Sequence, residues 1–250
     1  QEEPIQQFPY EKEENGKQSF WLIDNQSNGY YIPKGQKVRI LRKKQDSKSQ
    51  DFSEDTQGNF ATAYLSHGKA PKNESYEYAI ILQTNLTEIK EMKKEIQQGL
   101  LYEVRQKDEK AHIVVDKQKN ITAYAFFEPC CNLKEGMIQS VDTPCMIMTK
   151  QEQKQMVLSI CDPDLRLYEG IDEDQYDEDG NRREVSIYSR KWRLSKSISS
   201  KIQVVVRGNW GLIEKSSCCQ IIQYNEDENV TVLEFQCREA IPIELTMIQL

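Results

Sequence analysis

The chain has 250 residues, of which 29% are charged and 38% hydrophobic, and its formal net charge is −7. This length suits one large β domain or two smaller ones, and no apolar run approaches the ~20 residues that cross a bilayer. The negative charge argues against non-specific binding to nucleic acid or anionic membranes, although a local basic groove would still accept an anionic substrate. The chain begins with Gln1, and no basic segment followed by an apolar one opens it. We therefore expect no signal peptide in this stretch and interpret it as processed, trimmed or the tail of a longer protein.

Short apolar segments separated by turn residues fill the first part of the chain. The sequence predicts strands at residues 20–23, 29–32 and 37–42. The Asn28-Gly29 pair between the first two strands is a hairpin signal. The polar, acidic residues 1–17 are expected to form a loop or a frayed end, and residues 50–58 a surface loop.

Residues 58–82, GNFATAYLSHGKAPKNESYEYAIIL, combine two strand patterns. Residues 60–65 alternate apolar and small side chains, as a half-buried strand does, and residues 76–82 form a second predicted strand. The polar loop between them, residues 66–75, contains Gly68 and Pro71. The pattern predicts a hairpin-like unit of an antiparallel sheet.

One helix is predicted, at residues 85–98. Asn85 is a suitable N-cap, Glu88 is its capping-box partner, and Gly99 supplies a C-terminal stop. Four apolar side chains recur at helical spacing: Leu86, Ile89, Met92 and Ile96. A single helix between β regions is interpreted as a link between domains.

After the helix the chain returns to strands. They are predicted at residues 100–105, 111–115, 121–127, 145–149, 156–161, 201–207, 219–224, 230–235 and 241–247. Many short strands with regular turns are typical of a β-sandwich. Residues 169–200, acidic at first and then rich in Arg, Lys and Ser, break this pattern and are interpreted as an inserted loop.

The seven cysteines carry no recognisable site. Their spacing matches no zinc motif, an odd number cannot be fully paired, and the two vicinal pairs are poor disulfide candidates. We interpret them as buried, reduced side chains: Cys130, Cys131, Cys145, Cys161, Cys218, Cys219 and Cys237. Both histidines, His67 and His112, are isolated, and His112 within a predicted strand is interpreted as packed or solvated rather than catalytic.

Three groups of residues have a functional interpretation beside a structural one. Acidic residues of the insertion would offer calcium hard oxygen ligands, although the EF-hand order is missing and a solvated loop is the preferred interpretation: Asp172, Asp174, Asp177 and Asp179. A basic cluster would attract sulfate or carboxylate groups, or would neutralise that acidic run: Arg182, Arg183, Arg190, Lys191, Arg193, Lys196 and Lys201. The three tryptophans, Trp21, Trp192 and Trp210, would stack on sugar rings. The alternative interpretation for Trp21 and Trp210 is that they belong to the core. No nucleophile elbow, phosphate-binding glycine loop or HExxH helix occurs, so residue chemistry alone shows no active site.

The sequence of residues 58–82 also resembles the HG…P…YeY segment of polysaccharide lyase family 8, in particular that of the bacterial chondroitin sulfate ABC lyases. FWLIDNQSNGYYI lies upstream in the family's order. The predicted helix, LYEVRQKDEKAHIVVDKQKNITAYAFFEP, TPCMIMT and DPDL follow downstream in the same order. The resemblance covers residues 19–167 and resumes more weakly from Ile202 to the end, through Gly208-Asn209-Trp210, whereas residues 169–200 depart from the family pattern.

This resemblance implies an all-β architecture. Residues 1–84 would be the end of an antiparallel β super-sandwich, residues 85–99 a linking α-helix, and residues 100–250 a C-terminal β-sandwich with the insertion at about 169–200. In the family, a helical α/α toroid precedes these β domains.

The resemblance also implies a function. The chain would be the C-terminal β portion of a secreted or periplasmic bacterial lyase that cleaves chondroitin or dermatan sulfate by β-elimination. The family's catalytic tyrosine, histidine and arginine lie on the toroid, and a further polar or acidic residue lies early in the super-sandwich. We therefore expect no catalytic residue in this chain, since His67 matches a motif position other than that of the catalytic histidine.

Several expectations follow for ligands and partners. Substrate-binding residues are not assigned, no metal ligand is expected, and no cofactor is expected unless the acidic loop binds calcium. The expected partners are the glycosaminoglycan and the toroid of the same protein, not nucleic acid or a membrane. The rival interpretations are a stand-alone carbohydrate-binding module and a calcium-stabilised structural β-sandwich.

Overall fold

The fold is almost entirely β, as the sequence predicts. The computed structural model describes residues 4–49, 53–165 and 199–250, which form seventeen strands and one helix. The chain divides into two compact units, Gln1–Glu95 and Ile96–Leu250. The predicted domain boundaries, after residues 84 and 99, stay predictions. No helix of the described residues is long and apolar enough to cross a membrane.

The first sheet of unit 1 has three antiparallel strands in the order β1-β4-β5. They are β1 Tyr10–Glu14, β4 Val38–Lys48 and β5 Asp55–Leu65. β4 and β5 pair along their whole length, from Val38 opposite Leu65 to Lys48 opposite Asp55. Val38 and Leu41, near one end, are buried, whereas nearly all of β5 is exposed on both faces.

The sequence predicts loops for two parts of this sheet, and both predictions are wrong. β1 lies within residues 1–17, and the first four residues of β5 lie within residues 50–58. β1 reads YEKEE and is held by its ladder to β4 and by a hydrogen bond from Arg39 Nε to Glu11 Oε1 of 2.8 Å. Strands that bury so little side-chain surface leave no apolar alternation in the sequence.

The second sheet of unit 1 has the order β2-β3-β6. Its strands are β2 Phe20–Ile23, β3 Gly29–Ile32 and β6 Ala79–Ile81. The predicted bounds of β2 and β3 are confirmed. In the turn between them, the Asp24 carboxylate accepts hydrogen bonds from the N–H groups of Gln26 (2.8 Å) and Asn28 (2.9 Å), which fixes the turn locally.

The hairpin-like unit predicted for residues 58–82 does not form. β5 pairs with β4, and β6 pairs with β3, so the two strands belong to different sheets. A hairpin's register is set by a turn of two to five residues. The connection here is long and polar, and it leaves each strand to pair with a different neighbour.

The helix α1 spans Leu86–Gln97. Asn85 Oδ1 accepts hydrogen bonds from the second and third helical N–H groups at 3.0 and 3.1 Å, which confirms the N-cap. Glu88 does not close a capping box with Asn85; its carboxylate accepts a hydrogen bond from the Thr84 hydroxyl at 3.1 Å instead. Gly99, at φ +68°, ends the helix as predicted.

Unit 2 is a β-sandwich. One antiparallel sheet has the order β14-β17-β12-β11-β9-β8-β7, and the other has the order β10-β13-β16-β15. The strands are β7 Tyr102–Lys107, β8 Ala111–Asp116, β9 Ile121–Phe126, β10 Ile138–Val141, β11 Cys145–Glu152, β12 Gln155–Cys161, β13 Ser199–Arg207, β14 Trp210–Leu212, β15 Cys219–Asn225, β16 Val230–Arg238 and β17 Ile243–Gln249. Tyr124 and Leu158 of the first sheet belong to the same buried core as Val204 and Phe235 of the second.

Two strands of this unit, β10 and β14, were not predicted from the sequence. Arg207 connects β13 to the segment before β10. Its guanidinium donates hydrogen bonds to the carbonyls of Gly136 (2.7 Å), Ile138 (3.2 Å) and Leu133. The predicted insertion, residues 169–200, lies outside the described residues except for its last two, which begin β13.

Candidate functional site

The connection between β5 and β6, residues 66–78, is called the tyrosine loop here, and the β3–β4 connection holds it at both ends. At its start, the N–H of Ser66 donates to the Lys37 carbonyl at 3.0 Å. At its end, the Gln36 side-chain amide donates to the Glu77 carbonyl and accepts from the Glu77 N–H, both at 2.7 Å. Gln36 therefore satisfies both backbone groups of Glu77, as a neighbouring strand would.

Three aromatic rings lie along this loop. The rings of Tyr76 and Tyr78 are 6.1 Å apart with their planes within 16° of parallel, and the ring of His67 lies 6.1 Å from that of Tyr76. The two tyrosines are 58% and 50% exposed. Side chains two residues apart in an extended segment point to the same side. The loop therefore presents two adjacent aromatic rings to solvent, and Ile80 and Leu82, which follow at the same two-residue spacing, are exposed as well.

The backbone of the tyrosine loop takes up left-handed conformations at three positions. Gly68, Ala70 and Asn73 have φ values of +77°, +48° and +55°. Glycine and asparagine tolerate this region, whereas alanine is placed there at a cost of roughly 1–2 kcal/mol. Backbone strain of this kind persists where the surroundings impose it, and it is concentrated at binding sites and active sites.

Four lysines lie on the same pair of connections. Lys34 and Lys37 lie on the β3–β4 connection, and Lys69 and Lys72 lie on the tyrosine loop; all four are exposed. No carboxylate of the described residues is within ion-pair distance of their ammonium groups. These cations are therefore available to an external anion.

Tyr30, which lies opposite Ile80 in the ladder, is committed to Asp24. Its hydroxyl donates a hydrogen bond to Asp24 Oδ2 at 3.1 Å, and this bond raises the pKa of Tyr30. The N–H of Asn28, with the other donors of the turn, lowers the pKa of the Asp24 carboxyl. A tyrosine that acts as a general base near neutral pH needs a lowered pKa, so Tyr30 is suited to holding the turn rather than to proton abstraction.

The two histidines have different surroundings. His67 is half-buried, and its Nδ1 lies 3.7 Å from Glu74 Oε2 within the tyrosine loop. His112, on β8, is exposed and stands edge-on to the Phe127 ring at 5.0 Å. The prediction that this chain supplies no catalytic histidine stays a prediction.

Several sequence-predicted candidates fall outside the described residues. They are the acidic residues Asp172, Asp174, Asp177 and Asp179, the basic cluster from Arg182 to Lys196, and Trp192. Lys201, the last member of the basic cluster, lies on β13 and pairs with Glu234 at 3.2 Å. Within the described part of the chain, no group of three or more His, Cys, Asp or Glu side chains is arranged to hold a metal ion.

The two remaining tryptophans differ in how far their rings are exposed. Trp210 is 1% exposed, and its Nε1 donates to the Arg207 carbonyl at 2.6 Å, so it belongs to the core of unit 2. Trp21 is half-buried, with its ring 4.5 Å from that of Tyr31. Both are less exposed than Tyr76 and Tyr78.

All seven cysteines are free thiols. The prediction that they are buried holds for Cys145, Cys219 and Cys237, but it is wrong for Cys131, which is exposed. Burial raises the pKa of Cys219 to about 12 and that of Cys237 to about 11, and it raises the pKa of Cys145 as well. These three thiols stay protonated and weakly nucleophilic at neutral pH.

Comparison with protein-family models gives two matches in sequence order. Residues 3–93 match the polysaccharide lyase family 8 super-sandwich domain, and residues 103–166 match the family's C-terminal β-sandwich domain. The chain belongs to polysaccharide lyase family 8. The resemblance stated from the sequence is confirmed, and units 1 and 2 correspond to these two β domains.

Three curated lyases are similar over most of the chain. A chondroitin sulfate ABC exolyase of Proteus vulgaris is 42% identical over 76% of this chain and 18% of its own length. A chondroitin sulfate ABC exolyase of Bacteroides thetaiotaomicron is 35% identical over 95% of this chain and 23% of its own length. A chondroitin sulfate ABC endolyase of Proteus vulgaris is 29% identical over 97% and 21%. The chain thus spans about a fifth of the length of these relatives.

Solved structures share the fold at low sequence identity. The chondroitin AC lyase of Streptomyces coelicolor in complex with chondroitin sulphate has a TM-score of 0.58 and 11% identity, over 94% of this chain and 28% of that one. A xanthan lyase of Paenibacillus has a TM-score of 0.63 and 16% identity, over 96% and 21%. These likenesses establish the β architecture of both units and no more.

The tyrosine loop is not among the sites predicted from the sequence. Its local signal for a surface of paired rings is Tyr76-Glu77-Tyr78, an alternation that places both rings on one side of an extended segment. Gln36, which holds the loop, is 41 residues away from Glu77. A contact at that separation leaves no local pattern.

Proposed function

We propose that this chain is the C-terminal β portion of a glycosaminoglycan lyase that cleaves chondroitin or dermatan sulfate by β-elimination. The observation that carries the proposal is the pair of lyase-family matches in the family's order, on a chain 35–42% identical to two proteins named chondroitin sulfate ABC exolyase. The homologues of this chain are polysaccharide lyases, which supports lyase activity in the full-length protein.

β-Elimination requires three kinds of group in its active site. A base removes the proton alpha to the uronate carboxyl group, whose charge must be neutralised, and an acid protonates the leaving oxygen. The chain matches the two β domains of the family, whereas the family resemblance implies that the catalytic tyrosine, histidine and arginine lie on the toroid. We infer that the base, the acid and the neutralising group lie outside this chain. In the full enzyme, the β portion would brace the toroid and shape one wall of the substrate cleft.

The test compares two proteins on the same substrates. The purified 250-residue chain and a longer protein that contains it are incubated with chondroitin sulfate and with dermatan sulfate, and the absorbance of the unsaturated uronate product is followed. We expect product from the longer protein and none from the chain alone. Product from the chain alone would refute the placement of the catalytic groups, and a silent longer protein would refute the lyase assignment.

Partner and location belong to the same proposal. The toroid of the same protein is the intramolecular partner, and the enzyme acts in the periplasm or outside the cell, because its substrate is an extracellular polymer.

The stand-alone alternatives, a carbohydrate-binding module or a calcium-stabilised sandwich, require a native polypeptide close to the 29.2 kDa of this chain. An intact mass several times larger would exclude both of them.

A further inference from the structure

We propose that Tyr76 and Tyr78 form a binding surface for the pyranose rings of an acidic polysaccharide, and that lysines on the two adjoining connections bind its anionic groups. The chemical class of the ligand rests on the proposed lyase function. The existence of the surface rests on the geometry of unit 1 alone. This surface would contribute affinity and orientation.

The aromatic geometry suits a sugar. The two rings lie 6.1 Å apart and within 16° of parallel. Tyr76 is 58% exposed to solvent and Tyr78 is 50% exposed. The axial C–H groups of a pyranose form a flat apolar face that stacks on such a ring, while the phenol hydroxyls remain available for hydrogen bonds at the edge. Exposing both rings without a ligand leaves apolar area in water, and covering them recovers that free energy.

The surface is fixed before any ligand arrives. Gln36 holds the backbone of Glu77, the residue between the two tyrosines, with two hydrogen bonds of 2.7 Å. The Ser66 N–H, bonded to the Lys37 carbonyl, fixes the other end of the loop. Binding to a segment that is already ordered avoids the entropy cost of ordering it.

The charge of the surroundings matches a polyanion. Lys34, Lys37, Lys69 and Lys72 are exposed and lie on the two connections that these hydrogen bonds join. None has a carboxylate partner among the described residues, whereas Glu74 is directed to His67. Sulfate and carboxylate groups accept charge-assisted hydrogen bonds from ammonium groups. An uncharged glucan would use the tyrosines and gain nothing from the lysines.

A protein contact is the rival use of the same surface, since the exposed Ile80 and Leu82 follow at the same two-residue spacing with aliphatic side chains. The two uses make different demands on the tyrosine positions. Leucine preserves apolar bulk for packing against protein but has no planar face for a sugar. The variant Tyr76→Leu/Tyr78→Leu therefore separates the two.

The experiment measures the affinity of the 250-residue chain for a chondroitin sulfate oligosaccharide by titration calorimetry, with a neutral glucan oligosaccharide as the comparison ligand. The variants are Tyr76→Leu/Tyr78→Leu, Lys69→Gln/Lys72→Gln, and Tyr224→Leu as a matched control. Tyr224 is 46% exposed on β15 in unit 2, so it tests whether any exposed tyrosine matters. Thermal unfolding verifies that each variant is folded, which is expected because every substituted side chain is exposed.

We expect the double tyrosine variant to bind chondroitin sulfate roughly tenfold more weakly, as truncation of a binding hot spot does. The lysine variant, which keeps Lys34 and Lys37, should lose affinity for the charged ligand and part of its salt dependence, and Tyr224→Leu should bind like the parent. Unchanged binding in the double tyrosine variant, equal loss in Tyr224→Leu, or no binding by the parent chain overturns the proposal.

The outcomes also separate this proposal from the lyase assignment. If the longer protein cleaves chondroitin sulfate while its tyrosine variant is unaltered in both kcat/KM and affinity, the binding surface fails and the lyase assignment stands. If the longer protein is inactive while the chain binds glycan through its tyrosines, the lyase assignment fails and the surface stands.

Discussion

At Gly29, α1 packs close to β3, and this contact gives a direct test of how unit 1 is assembled. A Cβ placed on Gly29 would lie 2.8 Å from Ile89 Cδ1 and 2.8 Å from Thr84 Cγ2. Both side chains are buried, at 6% and 4% exposure, so neither can swing into solvent. Gly29→Ala must therefore push the helix away from the strand or force both side chains off their rotamers.

The size of the effect follows from two opposing contributions. Overpacking a well-filled site by one methyl group costs about 1–3 kcal/mol. Replacing glycine lowers the entropy of the unfolded chain and returns about 0.4–1 kcal/mol. We expect a net loss of about 1–2 kcal/mol in the free energy of unfolding of unit 1. Hydrogen exchange localises the effect, since the Ile89 N–H is bonded to the Asn85 carbonyl at 3.0 Å and reports opening of the helix.

Two further variants decide whether the contact itself is responsible. Gly58→Ala is the matched control, because its Cβ would come as close, at 2.7 Å, but to a ring carbon of Phe60, which is 55% exposed and free to move. That variant should change stability by less than about 0.5 kcal/mol. Adding Ile89→Val and Thr84→Ser to Gly29→Ala removes the two clashing carbons, so the triple variant should be more stable than additivity predicts. Strict additivity, or a neutral Gly29→Ala, would show that the close approach is not what positions the helix.

Three other substitutions test separate parts of the structure. Gln36→Leu removes two hydrogen bonds of 2.7 Å, should cost about 1–2 kcal/mol, and should accelerate hydrogen exchange in residues 66–78 without altering that of α1. Arg207→Met removes donors to backbone carbonyls at 2.7 and 3.2 Å and should destabilise unit 2 by about 2–3 kcal/mol in urea unfolding, whereas Arg238→Met, exposed on β16, should stay within about 0.5 kcal/mol. In unit 2, the pKa of Cys219 is raised by burial from 9.0 to about 12, so the unfolded chain loses this proton first and stability falls as pH rises from 9 towards 12. Cys219→Ala should reduce the fall of stability with pH by up to about 1.4 kcal/mol per pH unit. An unchanged slope would contradict the raised pKa of Cys219 as its cause.

Local sequence patterns predict several elements of the fold. β2 and β3 were predicted to the residue, because their apolar side chains and the Asn28-Gly29 turn agree with the structure. The cap of α1 was equally visible, because Asn85 bonds to N–H groups in its own first turn. β1 and the first part of β5 were missed for the opposite reason. Their polar residues are held by a ladder to β4, and the sequence of a strand does not record its partner.

The candidate site was predictable only in part, for the same physical reason. The alternation of Tyr76 and Tyr78 places both rings on one side of the chain, and that much is local. Whether the rings form a fixed surface depends on Gln36, which belongs to another connection, as do two of the four lysines, Lys34 and Lys37. Long-range hydrogen bonds bring these residues to the tyrosines. Gln36→Leu should therefore weaken oligosaccharide binding although Gln36 is not proposed to touch the sugar. If the Gln36→Leu variant binds the oligosaccharide with normal affinity although its tyrosine loop exchanges freely, binding at the aromatic surface does not depend on the hydrogen bonds from Gln36.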